Sequence, residues 1–371
     1  VVIDTRGADA FQAWHVQAGR HPVLNITEAE LAEDPGRARA AAEAAGGAAL
    51  RCICNSGGSS LRSTRALAAA GVPALSVRGG MIAWSRVLQR SEVAVEGPFT
   101  VVQLRREARG CLSYLIAAGG EALVVDPAPV VDAYIDEAGR RGVRIVRVFD
   151  THVHADHVSG ARELCARTGA ALSLSEGALA RGVHFAAGVT PVRDGDRIAL
   201  GGHSVEVVAL PGHTSDMTGL LLGEAALVGG DSLFADSVAR PDLESGDAGA
   251  GEAARILHAT LHGRIGELPG STVLLPCHWA GGRLDGALTA TLAEVQAAVP
   301  ELALPEDAFV QRILGQMPPK PSNFLSIIAV NLGDDLPADE VARLEVGANN
   351  CAAKAEWAAP AGATAGTAPS A

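Results

Sequence analysis

The chain has 371 residues, enough for two domains with substantial cores. Hydrophobic residues make up 48% of it and charged residues 19%, an ordinary globular balance. No apolar run approaches the roughly 18–20 residues that cross a bilayer, and a net charge of -12 without a basic stripe argues against a nucleic-acid partner.

Residues 1–92 alternate short strand-like runs (VVID, ALRCIC, ALSV) with Ala-rich helical stretches such as RARAAAEAA, which predicts a small parallel α/β domain. The opening VVIDTR has neither methionine nor a signal-peptide pattern, so a trimmed leader or a missing first strand stays open. Six cysteines (Cys52, Cys54, Cys111, Cys165, Cys277 and Cys351) are scattered along the chain, not set in a dense framework. That distribution favours a reducing compartment, the cytoplasm. Within ALRCICNSGGSSLRSTRALAAAG the pattern is strand, Gly/Ser loop, helix, with Cys54 where the strand stops. Loop amides and the helix's positive end would lower the pKa of that thiol and stabilise a thiolate or persulfide. Cys52, two residues deeper on the same face, reads as core.

EVAVEGP reads as a connector, placing a linker at 93–98. From Phe99 the texture changes to successive strands (TVVQLRR, LSYLIAA, EALVVDP), then a helix (VVDAYIDEAGRRG) and the strand VRIVRVF. Helical stretches dominate the last part, and the second domain with a C-terminal extension is expected over 99–351. Residues 352–371 are poor in bulky apolar groups and read as a disordered tail.

Four elements of the second region run from an apolar strand into a metal-competent side chain. VRIVRVF leads into His152, His154, Asp156 and His157; HSVEVVALPG into His213; EAALVGG into Asp231; and STVLLPC into His278. Strand ends anchored in a packed core can hold side chains with the accuracy that a metal demands. Imidazole with carboxylate suits Zn, Fe, Mn or Ni better than Mg or Ca. An isolated histidine after a strand is usually a hydrogen-bonded residue, the reading given to His15, His21, His184, His203, His258 and His262. The HxHxDH string followed by three more strand-terminal ligands is too dense for that explanation.

THVHADH, PGHT, GGDS and PCHW, in this order, resemble the successive metal motifs of the metallo-β-lactamase superfamily, over about residues 99–300. The resemblance implies an αββα sandwich with metal between the edges of two sheets. It also implies two alternative chemistries. In the glyoxalase II manner, His152, His154 and His213 would hold one metal and Asp156, His157 and His278 a second, with Asp231 bridging, to cleave a thioester with Zn. In the persulfide dioxygenase manner, His152, His213 and Asp231 alone would hold one Fe(II), with the remaining four side chains orienting ligands and protons. That enzyme class converts a low-molecular-weight thiol persulfide, such as glutathione persulfide, and O₂ to sulfite and the thiol.

GDSLFADSVARPDLE resembles the GD…RPDL stretch of the persulfide dioxygenases and implies that Arg240 contacts the carboxylate of a glutathione-like substrate, with Asp242 nearby. Residues 1–92 resemble a rhodanese (sulfurtransferase) domain through VVIDTR, CNSGGSS and LSVRGGMIAW, which makes Cys54 the sulfur-accepting nucleophile. The family loop commonly carries arginines where this chain has Asn55 and Ser59, so Arg62 is the nearby cation for substrate. The expected fold is therefore α/β, a rhodanese-like parallel domain followed by a metallo-β-lactamase sandwich. MPPKPSNFLSIIAVNLG and ARLEVGANNCAAK resemble tail segments of rhodanese fusions, expected to pack on the sandwich without an assigned catalytic part. Cys277, beside His278, reads as a packed strand residue. The carrier thiol and homodimer formation stay open.

Overall fold

The computed structural model describes residues 1–16, 21–185, 188–279, 286–346 and 352–353. The chain opens with a four-stranded parallel sheet in the order Val23–Asn25, Val2–Asp4, Leu50–Ile53, Ala74–Ser76. Parallel strands need both faces covered, which explains their short apolar runs. Alternation does this within one strand: Leu50 and Cys52 pack with Ile3, Leu31 and Leu67, whereas Ile53 packs with Trp14, Val16 and Met81.

A seven-stranded sheet follows, in the order Val189–Val192, Ala171–Ser175, Arg144–Phe149, Glu121–Val125, Cys111–Ala118, Thr100–Arg106, Leu88–Val93. It faces a six-stranded sheet of Arg197–Leu200, His203–Ala209, Thr218–Leu222, Ala226–Gly230, Val273–Pro276 and Ala290–Thr291. The strands are apolar on both sides and send alternate residues to separate cores. Val101, Tyr114, Leu123 and Val125 meet Val205, Val207, Leu220 and Val228 between the sheets. Val102, Leu115, Ala122 and Val124 face the helices Asp132–Arg141 and Ala161–Thr168. Helices Asp242–Ala259, Leu292–Ala298 and Glu306–Gly315 cover the second sheet through Leu257, Val295 and Phe309. The layering is the expected α/β sandwich preceded by a parallel α/β unit.

One boundary differs from expectation. Residues 88–93 do not close the first unit; they pair antiparallel with Thr100–Arg106 as the edge strand of the seven-stranded sheet. The expected linker is thus a hairpin connection, and Val93, Val95 and Phe99 pack on the core between the sheets. The helices Phe324–Leu332 and Ala338–Leu344 lie beside the loop that follows Phe149, where Ile327, Val330, Val341 and Leu344 enclose Val158. In the expected tail, Ala352–Ala353 pairs with Val238–Ala239, and 354–371 lie outside the described residues. Among the described residues no helix is long and apolar enough to cross a membrane.

Candidate metal centre and cysteine loop

The ends of the strands Glu121–Val125, Arg144–Phe149, Ala226–Gly230 and Val273–Pro276 deliver Asp126, the loop 150–159, Asp231 and His278 to one place. Pairing between these strands sets the position of each loop, and buried backbone groups fix the rest. Asp126 adopts φ +49°, in the left-handed region that aspartate tolerates better than most residues. Its carboxylate accepts the Thr151 N–H at 2.7 Å and the Thr151 hydroxyl at 3.0 Å. It also takes His154 Nε2 at 3.0 Å and Cys277 Sγ at 2.7 Å.

Three buried atoms converge without a protein partner: His152 Nε2, His213 Nε2 and Asp231 Oδ2. The two nitrogens lie 3.9 and 3.5 Å from the oxygen, and all three atoms lie within 4.8 Å of one another. His213 Nδ1 donates to the Arg240 carbonyl at 2.7 Å, which leaves Nε2 as a lone pair aimed inward. Thr151 Oγ1 lies 2.9 Å from His152 Nδ1 and steadies that ring likewise. Burial, with His154 and His213 close by, holds His152 well below the usual histidine range, so it is neutral as a ligand must be. Orphaned polar atoms of this kind are costly unless something binds them. Two imidazoles and a carboxylate with about 2 Å bonds to a shared centre would meet at these separations, so the donor set fits a transition metal.

The other four side chains of the expected seven each meet a carboxylate or a histidine nearby, but His154 Nδ1 and His157 Nε2 stay without a hydrogen-bond partner. His154 bonds Asp126 through Nε2 and groups with Asp126 and Asp150, its ring centroid 4.2 Å from that of His152. Burial opposes its charge, but Asp126 and Asp150 push it up to about 10. Asp150 itself is raised to about 7, by burial foremost. His278 spans two carboxylates, with Nδ1 2.6 Å from Asp231 Oδ1 and Nε2 2.8 Å from Asp156 Oδ2. Despite burial, those carboxylates hold it well above the ordinary histidine range. Asp156 also meets His157 Nδ1 at 3.2 Å and Cys111 Sγ at 3.5 Å. Cys111, Asp156, His157 and His278 form a second cluster of metal-competent atoms, with His157 Nε2 unpartnered.

Sequence reading did not find Asp126, Asp150 or Cys111. Asp126 had a signal: it is a carboxylate directly after an apolar strand, like Asp231. Cys111 opens a strand and carried none.

Arg240 is buried. Its Nε and Nη2 donate to the two oxygens of Asp242 at 2.7 and 3.0 Å, and Nη1 lies 3.3 Å from the Pro319 carbonyl. Its carbonyl is the acceptor for His213, so Arg240 adjoins the triad through its backbone.

In the first unit Cys54 is buried at the mouth of its loop. Its Sγ accepts the Gly57 N–H at 3.1 Å and lies 3.4 Å from Ser60 Oγ. The helix Gly58–Ala69 starts immediately beyond. Burial would raise the thiol, yet the Ser60 hydroxyl and the amides of Ser60, Gly57 and Ser56 bring it below the ordinary cysteine value. Gly80, at φ +56°, closes the loop from the far side: a Cβ there would sit 2.0 Å from the Cys54 carbonyl. Arg62 forms a two-bond pair with Glu28 at 2.6 and 2.8 Å and is exposed. Cys52 is buried in the sheet core, and burial raises its thiol to about 11.

Comparison with known proteins agrees with this architecture. Residues 106–298 match the family described as Metallo-beta-lactamase superfamily. Persulfide dioxygenase ETHE1, mitochondrial, of Homo sapiens is 30% identical over 267 residues, covering 70% of this chain and 92% of that protein. A hydroxyacylglutathione hydrolase of Acidiphilium cryptum is 39% identical over 122 residues, covering 33% of this chain and 49% of that protein, about half its length. Among solved structures, ETHE1 from Myxococcus xanthus superposes with a TM-score of 0.55 at 27% identity, covering 65% of this chain and 98% of that one. A metallo-beta-lactamase from Staphylococcus aureus gives a TM-score of 0.59 at 26% identity, covering 65% of this chain and 75% of that one. With the strand-end ligands, the two facing sheets and these matches together, the chain belongs to the metallo-beta-lactamase superfamily, whose proteins bind metal ions.

Proposed function

We propose that the chain is a persulfide dioxygenase with one Fe(II) on His152, His213 and Asp231. The observation that carries this reading is the division of the seven side chains. His152, His213 and Asp231 present unpartnered buried atoms to one point, whereas His278 has both ring nitrogens on carboxylates, and the unpartnered His154 Nδ1 and His157 Nε2 belong to side chains outside that donor set. The similarity to persulfide dioxygenases over 70% of the chain supports it. The reaction takes R–S–SH, O₂ and water to R–SH and sulfurous acid, which ionises to sulfite. The terminal sulfur loses four electrons, O₂ gains them, and the S–S bond breaks with a proton passing to the thiol. Fe(II) held by two histidines and one carboxylate supplies open positions where O₂ and a sulfur ligand can be brought together.

The chain's own groups prepare that centre. Asp231 keeps Oδ2 inward because His278 holds Oδ1. The Arg240 carbonyl and Thr151 Oγ1 fix the faces of His213 and His152. Apolar Phe234 edges onto His278 with ring centroids 5.9 Å apart and limits water on that side. Arg240 and Arg62 remain the groups we assign to substrate anions. The first unit is read as rhodanese-like, with Cys54 moving sulfane sulfur to or from the same persulfide pool; its thiol-lowering loop supports this. The described cysteines are free thiols, in keeping with the cytoplasm.

A binuclear Zn thioester hydrolase is the second reading, favoured by the 39% identical hydroxyacylglutathione hydrolase and by the cluster around Asp156. Anaerobic iron loading followed by an oxygen electrode with glutathione persulfide separates the two. One iron per chain with oxygen uptake supports the dioxygenase. Two metals per chain with cleavage of S-lactoylglutathione in the absence of oxygen would replace it with the hydrolase.

A further inference from the structure

The loop that carries HxHxDH ends in backbone groups that the sandwich itself does not satisfy. Asn331, on the helix Phe324–Leu332, spans it with a single amide. Its Nδ2 donates to the His154 carbonyl at 2.9 Å and to the His157 carbonyl at 2.8 Å, and its Oδ1 accepts the Ser159 N–H at 2.9 Å. Glu345, after the helix Ala338–Leu344, accepts the intervening Val158 N–H on Oε1 at 2.6 Å. Its other oxygen is paired with buried Arg106, whose Nε donates to the Ser85 carbonyl of the first unit at 2.8 Å. The Val158 side chain packs among Ile327, Val330, Val341 and Leu344. A loop stapled by polar bonds on one side and an apolar plug on the other has little freedom to shift.

We infer that Asn331 and Glu345 are positioning residues of the metal site, and that the C-terminal extension completes the metal loop. Only asparagine offers two donors and one acceptor at this reach: aspartate lacks the donors, serine the length, leucine both. Loss of the amide would leave two buried carbonyls unpaired, and the loop would relax around His152, His154 and His157. Partners of this kind typically hold about 10–100-fold of metal affinity. The inference rests on His152, His213 and Asp231 being the metal site, and not on which reaction occurs there.

The experiment uses Co(II) added to the full metal-free protein, with its visible absorption spectrum and chelator competition as readouts. Wild type should bind Co(II), and His213→Ala should lose the wild-type spectrum and affinity; Co(II) bound with both unchanged in His213→Ala would refute the metal site itself. With that established, Asn331→Asp is expected to bind Co(II) at least tenfold more weakly and with an altered spectrum. Leu325→Ala, an exposed change on the same helix, should match wild type in both. Should Asn331→Asp not fold, Asn331→Ser gives the same readouts without added charge. Affinity within twofold of wild type and an unchanged spectrum in a folded Asn331 variant would overturn the inference.

Discussion

One oxygen of Asp231 is held 2.6 Å from His278 Nδ1, while the other faces the two histidine nitrogens of the triad with no protein partner. The histidine thus decides how the carboxylate is presented. His278→Ala frees Oδ1 and leaves Asp156 and Asp231 buried without the imidazole between them. Metal affinity should fall about 10–100-fold, read by chelator competition, with the secondary structure preserved by circular dichroism.

Arg240 and Asp242 are both buried and joined by two hydrogen bonds. Arg240→Ala removes one partner and leaves a buried carboxylate. This should cost about 3–5 kcal/mol, measured as a lower midpoint in urea. Asp242 is held below the usual carboxylate range, with burial opposed by the Arg240 guanidinium. The pair's stabilisation is therefore complete above the unfolded aspartate pKa and is lost as pH falls through the folded value. Unfolding midpoints compared at acidic and neutral pH should show a smaller Arg240→Ala effect in acid.

At Cys54 the thiol is lowered in the folded protein. Its alkylation rate should therefore reach half-maximum at lower pH than free cysteine does. Ser60→Ala should move the midpoint up, because the hydroxyl 3.4 Å from Sγ is lost. By linkage, ionisation of Cys54 adds stability as pH rises through its folded value, and that contribution is lost as pH falls.

Gly80→Ala tests the other wall of the same loop. At φ +56° and 2.0 Å from the Cys54 carbonyl, the added methyl cannot be accommodated without backbone movement. The loss should be on the order of 1–3 kcal/mol, and sulfur transfer at Cys54 should collapse. Co(II) binding at the strand ends of the sandwich, which share no residue with this loop, should persist.

What the sequence disclosed, and what it withheld, follows from chain distance. His152, His213, Asp231 and His278 each follow an apolar strand, a local pattern readable without coordinates, and Cys54 follows the same rule. Asn331 acts on a carbonyl 177 residues away and Glu345 on an amide 187 residues away. An asparagine inside the helical run FLSIIAVNL has no spacing that betrays such a partner. The grouping of His154 with Asp126 was equally hidden, because a ring's direction depends on which carboxylate the fold brings near it. A boundary at residue 92 puts LQRSE in the first unit and Val93 in the linker; pairing of Leu88–Val93 with Thr100–Arg106 is a tertiary fact.

That pairing bears on how the protein can be divided. Thr100–Arg106 is buried along all but its first residue. A fragment cut at residue 94 to isolate the sandwich would strip away its neighbour and bare a long hydrophobic margin of open amides and carbonyls. Such margins recruit strands from other molecules. Truncates starting at 94 should precipitate, where those starting before Leu88 stay dispersed.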